Sequence, residues 1–256
     1  MKDHRTALIT GATSGIGKAI AFKLAEKGFN LIITGRRKAI LDDIKEIITS
    51  QYNVDVLTLS FNVGNRNQVE EAFSEINRFY KKIDILINNA GLALGLTAID
   101  EGDISDWEIM LDTNVKGILY MTKNALPLLK KSNNPQIINI GSIAGRETYP
   151  NGNVYCATKH AVDSLSKAMR IDLLKYDIKV SQVCPGAVET EFSMVRFKGD
   201  KEKASSVYNG FKPLTPEDIS HIIGFIIDLP LHVNINDILI MPTQQANTSI
   251  INKKTI

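Results

Sequence analysis

The chain has 256 residues, 44% hydrophobic and 23% charged, a globular composition long enough to bury a large core. Its formal net charge of +2, with Lys and Arg scattered rather than clustered, argues against a nucleic-acid partner. The longest apolar runs are too short to span a bilayer, and residues 1–5 lead straight into a strand-like segment with no signal peptide.

Residues 6–10 read as a short buried strand, followed by a glycine-rich turn and an amphipathic helix from near Ile16 to a C-cap at Gly28. Further strands are expected at 30–34, 54–59, 84–88, 136–140, 179–183 and 237–241. Helices are expected between them at 37–50, 66–81, 106–131 and from Asn153 to about Tyr176. Thr215 and Pro216 mark another helix start, as N-cap and first residue. Residues 187–213 are polar and irregular, with room for one or two helices, and suit a lid over a substrate. The tail from Gln244 to Ile256 is polar and expected to be loose. Strands alternating with helices predict one α/β domain: a Rossmann-like, doubly wound parallel sheet of about seven strands with helices on both faces.

Gly11, Gly15 and Gly17 lie between the first strand and its helix, as G-x-x-x-G-x-G. Free amides at a helix start bind phosphate, and glycine lets the ligand approach closely. Thr13, Ser14 and Ile16 fall in the same turn. The second strand ends in Gly35, Arg36 and Arg37. An acid here would bind the ribose hydroxyls of NAD, whereas Arg suits the 2′-phosphate of NADP, which an acid would repel. NADP is therefore the expected cofactor. Cys156 and Cys184 form neither a disulfide framework nor a metal-ligand set, so no metal is expected, and a reducing cytoplasm fits.

Tyr155 and Lys159 stand four apart, one helical turn on the same face. An ammonium beside a phenol favours the phenolate, so this pair makes a workable proton donor.

With these motifs align Asn88-Asn89-Ala90-Gly91 after the fourth strand, Asn114 in the following helix, Ser142 at the end of the fifth strand and Pro185-Gly186 after the sixth. Six motifs in this order, over roughly residues 5–243, resemble the short-chain dehydrogenase/reductase family. The resemblance implies that Tyr155 is the general acid for carbonyl reduction and base for alcohol oxidation. It implies that Lys159 tunes the phenol and holds the nicotinamide ribose, that Ser142 bonds the substrate oxygen, and that Asn114 bends its helix and holds a water leading from Lys159 to solvent. Asn89, Ala90, Gly91, Pro185, Gly186, Val188 and Thr190 are implied cofactor contacts. Asn62 and Val63 stand where the family has Asp-Val near the adenine; Asn keeps an acceptor but loses the charge. A homotetramer, packed through the long helices after strands four and five, is also implied.

A finer resemblance lies in residues 91–95, 195–200, 214–219 and 232–236, which look like the branch that oxidises serine and related 3-hydroxy acids with NADP. The rival branch, the 3-oxoacyl-carrier-protein reductases, usually has a Gly-rich segment after the last strand; here Met241 to Gln245 replaces it. A broad carbonyl reductase is a further alternative. A 3-hydroxy acid needs a cationic partner for its carboxylate, and Arg146, Arg196 and Lys198 are the candidates.

Overall fold

The computed structural model describes residues 4–254; the first three residues and the last two of the tail lie outside them. Seven parallel strands form one sheet in the order β3-β2-β1-β4-β5-β6-β7. They are β1 (Thr6–Ile9), β2 (Asn30–Gly35), β3 (Val56–Ser60), β4 (Ile85–Asn88), β5 (Gln136–Ile140), β6 (Lys179–Pro185) and β7 (Asp237–Ile240). The order reverses between β1 and β4, which pair Leu8 with Leu86. A crevice opens at the carboxyl ends of strands where such a reversal occurs.

Both faces of the sheet are covered, so the central strands are nearly continuous apolar runs rather than alternating ones. Successive side chains still point to opposite sides. Ala7, Ile9, Leu31 and Ile33 face α1 (Gly15–Glu26), α2 (Lys38–Gln51) and α9 (Pro216–Asp228) in one buried cluster. Leu8, Ile32, Leu86 and Ile137 face α3 (Arg66–Phe79), α5 (Gly117–Leu129) and α6 (Asn153–Asp172) in the other. Among the described residues, no helix is long and apolar enough to cross a membrane.

Two expectations need correction. The single helix predicted over 106–131 is two helices, α4 (Ile104–Leu111) and α5, joined by a π-helical segment, Asp112–Lys116. The wider turn carries Asn114 inward, a shift that hydrophobic spacing does not register. The tail expected to be loose folds back instead. Ala187 N donates to Gln245 Oε1 at 2.8 Å, Lys212 N to Gln244 Oε1 at 3.0 Å, and Lys254 N to the Gly210 carbonyl at 2.7 Å. Polar tail side chains here bind main chain rather than water. Residues 187–213 hold α7 (Phe192–Arg196) and α8 (Lys201–Ser206).

Candidate active site

Above the β1/β4 reversal lies a cleft of about 480 Å³, a size that suits a small organic ligand. One end is built by the turn from β1 into α1. Ser14 is the N-cap of α1, yet its side chain caps no amide. By contrast, Asn65, Asp103, Asp200 and Thr215 each cap their helices. The first N–H groups of α1 are thus left for a ligand, and the helix dipole favours an anion there. Gly11, Thr13, Ser14, Gly15 and Ile16 line the cleft. Gly17 does not line it but lies beneath the loop. A Cβ at Gly17 would come within 2.3 Å of the Gly11 carbonyl and 2.4 Å of Asn89 Nδ2.

The loop after β4 is stitched to this turn. Asn89 Nδ2 donates to the carbonyls of Thr10 and Gly11, at 2.8 and 3.1 Å. Thr10 Oγ1 accepts from the amides of Asn89 and Ala90. Thr10 escaped the sequence reading because it counts as one more strand residue; a hydroxyl at the last buried position of a strand is its signal. Asn88 points the other way, donating to Thr122 and Asn139 in the core, so it takes no part in the cleft.

The two arginines after β2 part company. Both are exposed and line the cleft. Arg37 donates to Thr13 Oγ1 at 2.9 Å and pairs with Glu191 Oε2 at 3.0 Å. Arg36 makes no ion pair among the described residues, so it is the one whose guanidinium is free for a phosphate. Glu191 was unforeseeable as its sibling's partner, since it arrives from the far side of the sheet. Asn62, at the edge of the cleft, accepts from Gly64 N at 3.0 Å; its oxygen keeps one lone pair for another donor. Val63 lines the cleft beside it.

Ser142, Tyr155 and Lys159 meet at the other end, near Gly91, while Pro185, Gly186 and Val188 also line the cleft and Thr190 lies against Gly15 of the glycine turn. Lys159, on α6, donates to the Ile140 carbonyl of β5 at 2.9 Å and so ties α6 to the sheet. Burial lowers its ammonium to about pKa 8. Tyr155 is buried too, and burial pushes its phenol well above the ordinary value, opposed by the neighbouring Ser142 hydroxyl and by Arg196. The expected lowering of the phenol by Lys159 is therefore not what these residues produce. Nζ lies 6.0 Å from the Tyr155 ring centroid and is spent on a carbonyl, and burial is the main influence on the phenol.

Asn114 does not line the cleft. Its Nδ2 donates to the Leu92 carbonyl at 2.8 Å and to Thr158 Oγ1 at 3.1 Å, and its Oδ1 accepts from Leu92 N. A side-chain carbon on Gly91 would sit 3.3 Å from Asn114 Oδ1 and 3.6 Å from Lys159 Nζ, so these two polar atoms flank one small space. Phe192 of α7 packs on Tyr155 with ring centroids 5.5 Å apart, a contact the sequence did not reveal.

The three candidate carboxylate partners also separate. Arg146 pairs with Asp163 and Asp237. Exposed Lys198 pairs with Asp106 at 2.8 Å. Arg196 makes no ion pair among the described residues.

The short chain dehydrogenase family model matches residues 5–201. The chain belongs to the short-chain dehydrogenases. An NADP-dependent 3-hydroxy acid dehydrogenase of Salmonella typhi is 45% identical to this short-chain dehydrogenase over 240 residues, covering 93% of this chain and 95% of that one. One of Schizosaccharomyces pombe is 42% identical over 253 residues, with 98% of each chain covered. The solved closed form of serine dehydrogenase complexed with NADP+ superposes with a TM-score of 0.89 at 41% identity, covering 98% of this chain and 100% of that one.

The buried ammonium gives this dehydrogenase a measurable stability signature. Between about pH 8 and 10.5 the unfolded chain still holds a proton on Lys159 that the folded chain has released. The unfolding free energy therefore rises with pH across that window. Urea denaturation at a series of pH values should show this rise in the wild type relative to Lys159→Met. At pH 7 the variant should be the more stable by about 1–3 kcal/mol. Parallel curves for the two proteins would show that the lysine is not desolvated.

Proposed function

We propose that the protein is an NADP-dependent oxidoreductase that interconverts an alcohol and its carbonyl, with short 3-hydroxy acids such as serine or allo-threonine as substrates. One observation carries this reading: the Tyr155, Ser142 and Lys159 side chains meet at one end of a cleft whose other end offers uncapped helix amides and an unpaired Arg36. The residues fit the cofactor, with phosphates at the α1 amides, the 2′-phosphate at Arg36, and the ribose of the nicotinamide at Tyr155 and Lys159. When bound, NADP supplies or accepts the hydride. The names of the relatives at 42% and 45% identity, and of the serine dehydrogenase structure, support the substrate class.

The chain's own residues handle the proton and the developing charge. In reduction, negative charge grows on the substrate oxygen, and the hydroxyls of Tyr155 and Ser142 stabilise it as it grows. Tyr155 then gives up its proton; in oxidation it takes one. A phenol held high by burial is a reluctant base on its own, so the cation beside it has a task that a solvated tyrosine would not set. Asn114 holds the Leu92 backbone against α6 and keeps one acceptor facing Lys159, where a water could pass protons on. Residues 187–213 act as the lid that excludes water from this chemistry.

We also place the protein in the cytoplasm as a homotetramer. Exposed Ile109 and Leu111 on α4, Leu119 on α5 and Ile171 on α6 support a subunit interface along these helices. Light scattering should return four times the 28.3 kDa chain mass; a monomer would exclude this assembly.

Purified protein supplied with NADP and serine, allo-threonine or 3-hydroxyisobutyrate should reduce the cofactor. Turnover confined to acetoacetyl thioester with NADPH would replace the hydroxy-acid assignment. Tyr155→Phe should keep NADP binding and lose roughly 10²–10⁴-fold in kcat. A near-normal kcat would remove the phenol from the chemistry. Arg36→Asp should shift preference from NADP towards NAD by on the order of 10²-fold in kcat/KM. Arg37→Ala should shift it less, because Arg37 is already paired; equal shifts would return the phosphate to both arginines.

A further inference from the structure

We propose that Arg196 is the residue that binds the substrate carboxylate and thereby selects hydroxy acids over uncharged alcohols, an inference that rests on the hydroxy-acid reading of the same cleft.

Position comes first. The hydroxyl-bearing carbon of a 3-hydroxy acid and its carboxyl carbon are separated by one atom, two bonds of about 1.5 Å each. A cation that binds the carboxylate must therefore border the proton donor. The Arg196 guanidinium lies 5.7 Å from the Tyr155 ring centroid and 5.4 Å from that of Tyr149. Tyr155 and Arg196 together line a small cavity of about 20 Å³, next to the main cleft and large enough for one small polar group.

Valence comes second. Arg196 Nε donates to the Gly95 carbonyl at 3.2 Å, and the Arg196 carbonyl accepts from Gly95 N at 2.9 Å. These bonds fix the side chain's aim. One terminal nitrogen of the guanidinium is buried and has no hydrogen-bond partner. A buried donor left unmade costs free energy, and a guanidinium matches a carboxylate in geometry and charge. The acids nearest by, Asp103 and Asp106, are taken by Lys198, which leaves the arginine without a competing internal carboxylate.

Elimination comes third. Arg146 is held by two aspartates and Lys198 by two more, so neither offers a free charge.

The location of Arg196 on α7 has a consequence for specificity. The carboxylate anchor and the Phe192 ring that packs on Tyr155 arrive on the same helix. A substrate that engages Arg196 also holds α7 over the phenol that acts on it.

The test compares wild type, Arg196→Met and Arg196→Lys on serine and 3-hydroxybutyrate, each beside its primary amide, with NADP. In Arg196→Met, kcat/KM for the acid should fall by on the order of 10²-fold, carried mainly by KM. The loss on the acid should exceed the loss on its amide by at least roughly 10-fold. Arg196→Lys should recover part of the acid preference, because it keeps the charge without the fork. NADP binding, measured by calorimetry, should stay within about threefold of wild type and report an intact fold. If wild type prefers the acids but Arg196→Met loses acid and amide equally, the side chain merely clasps Gly95 and the inference is overturned. If acid preference survives in Arg196→Met, another residue binds the carboxylate and the inference is likewise overturned. If wild type shows no preference for either acid over its amide, the hydroxy-acid reading itself fails, and the inference with it.

Discussion

The Tyr155 end of the cleft depends on one buried ammonium bonded to a single main-chain carbonyl. Lys159 donates a hydrogen bond to the Ile140 carbonyl at the end of β5, and Ser142 stands two residues beyond that carbonyl. The same bond therefore sets the distance between α6, which carries Tyr155, and the strand end that carries Ser142. Desolvation makes the arrangement costly, since both the lysine and the phenol are pushed towards their neutral forms. The instability is local, and two large apolar clusters on the sheet faces offset it.

A second constraint acts where the strand order reverses. Thr10 and Asn89 sew the ends of β1 and β4 together with four hydrogen bonds. Without them, the glycine turn and the loop bearing Ala90 and Gly91 would be two independent surface loops. With them, the glycine turn and the loop after β4 share one rigid floor. Such rigidity is what lets a cofactor be oriented rather than only bound.

Much of this was legible in the sequence, because its signals are local. Strand and helix order follow from apolar spacing, the uncapped turn from glycine spacing, and the Tyr155–Lys159 pair from helical period. The Thr215 cap and Pro216 start fall where expected. The features that escaped depend on residues distant in the chain. Arg36 and Arg37 are equivalent as letters; Glu191 makes them different. Arg146, Arg196 and Lys198 are equally plausible cations until Asp163, Asp237 and Asp106 choose among them. The π-helical turn at Asn114 leaves the apolar pattern nearly intact, so periodicity passes straight through it. Gln244 and Gln245 look like solvated tail residues because their partners are main-chain amides, which carry no signature in sequence.

Those two glutamines change what residues 187–213 can be. The amides of Ala187 and Lys212 are tied to the tail, and the Gly210 carbonyl accepts from Lys254. With both feet pinned, the span between them is a crossbar and not a flap. Three of its residues reach three different parts of the molecule: Glu191 to Arg37 and Phe192 to Tyr155 in the cleft, and Arg196 to Gly95 in the small cavity beside it. Any displacement that lifts α7 breaks all three contacts in one stroke. The two ends of the cleft are therefore mechanically coupled through one segment.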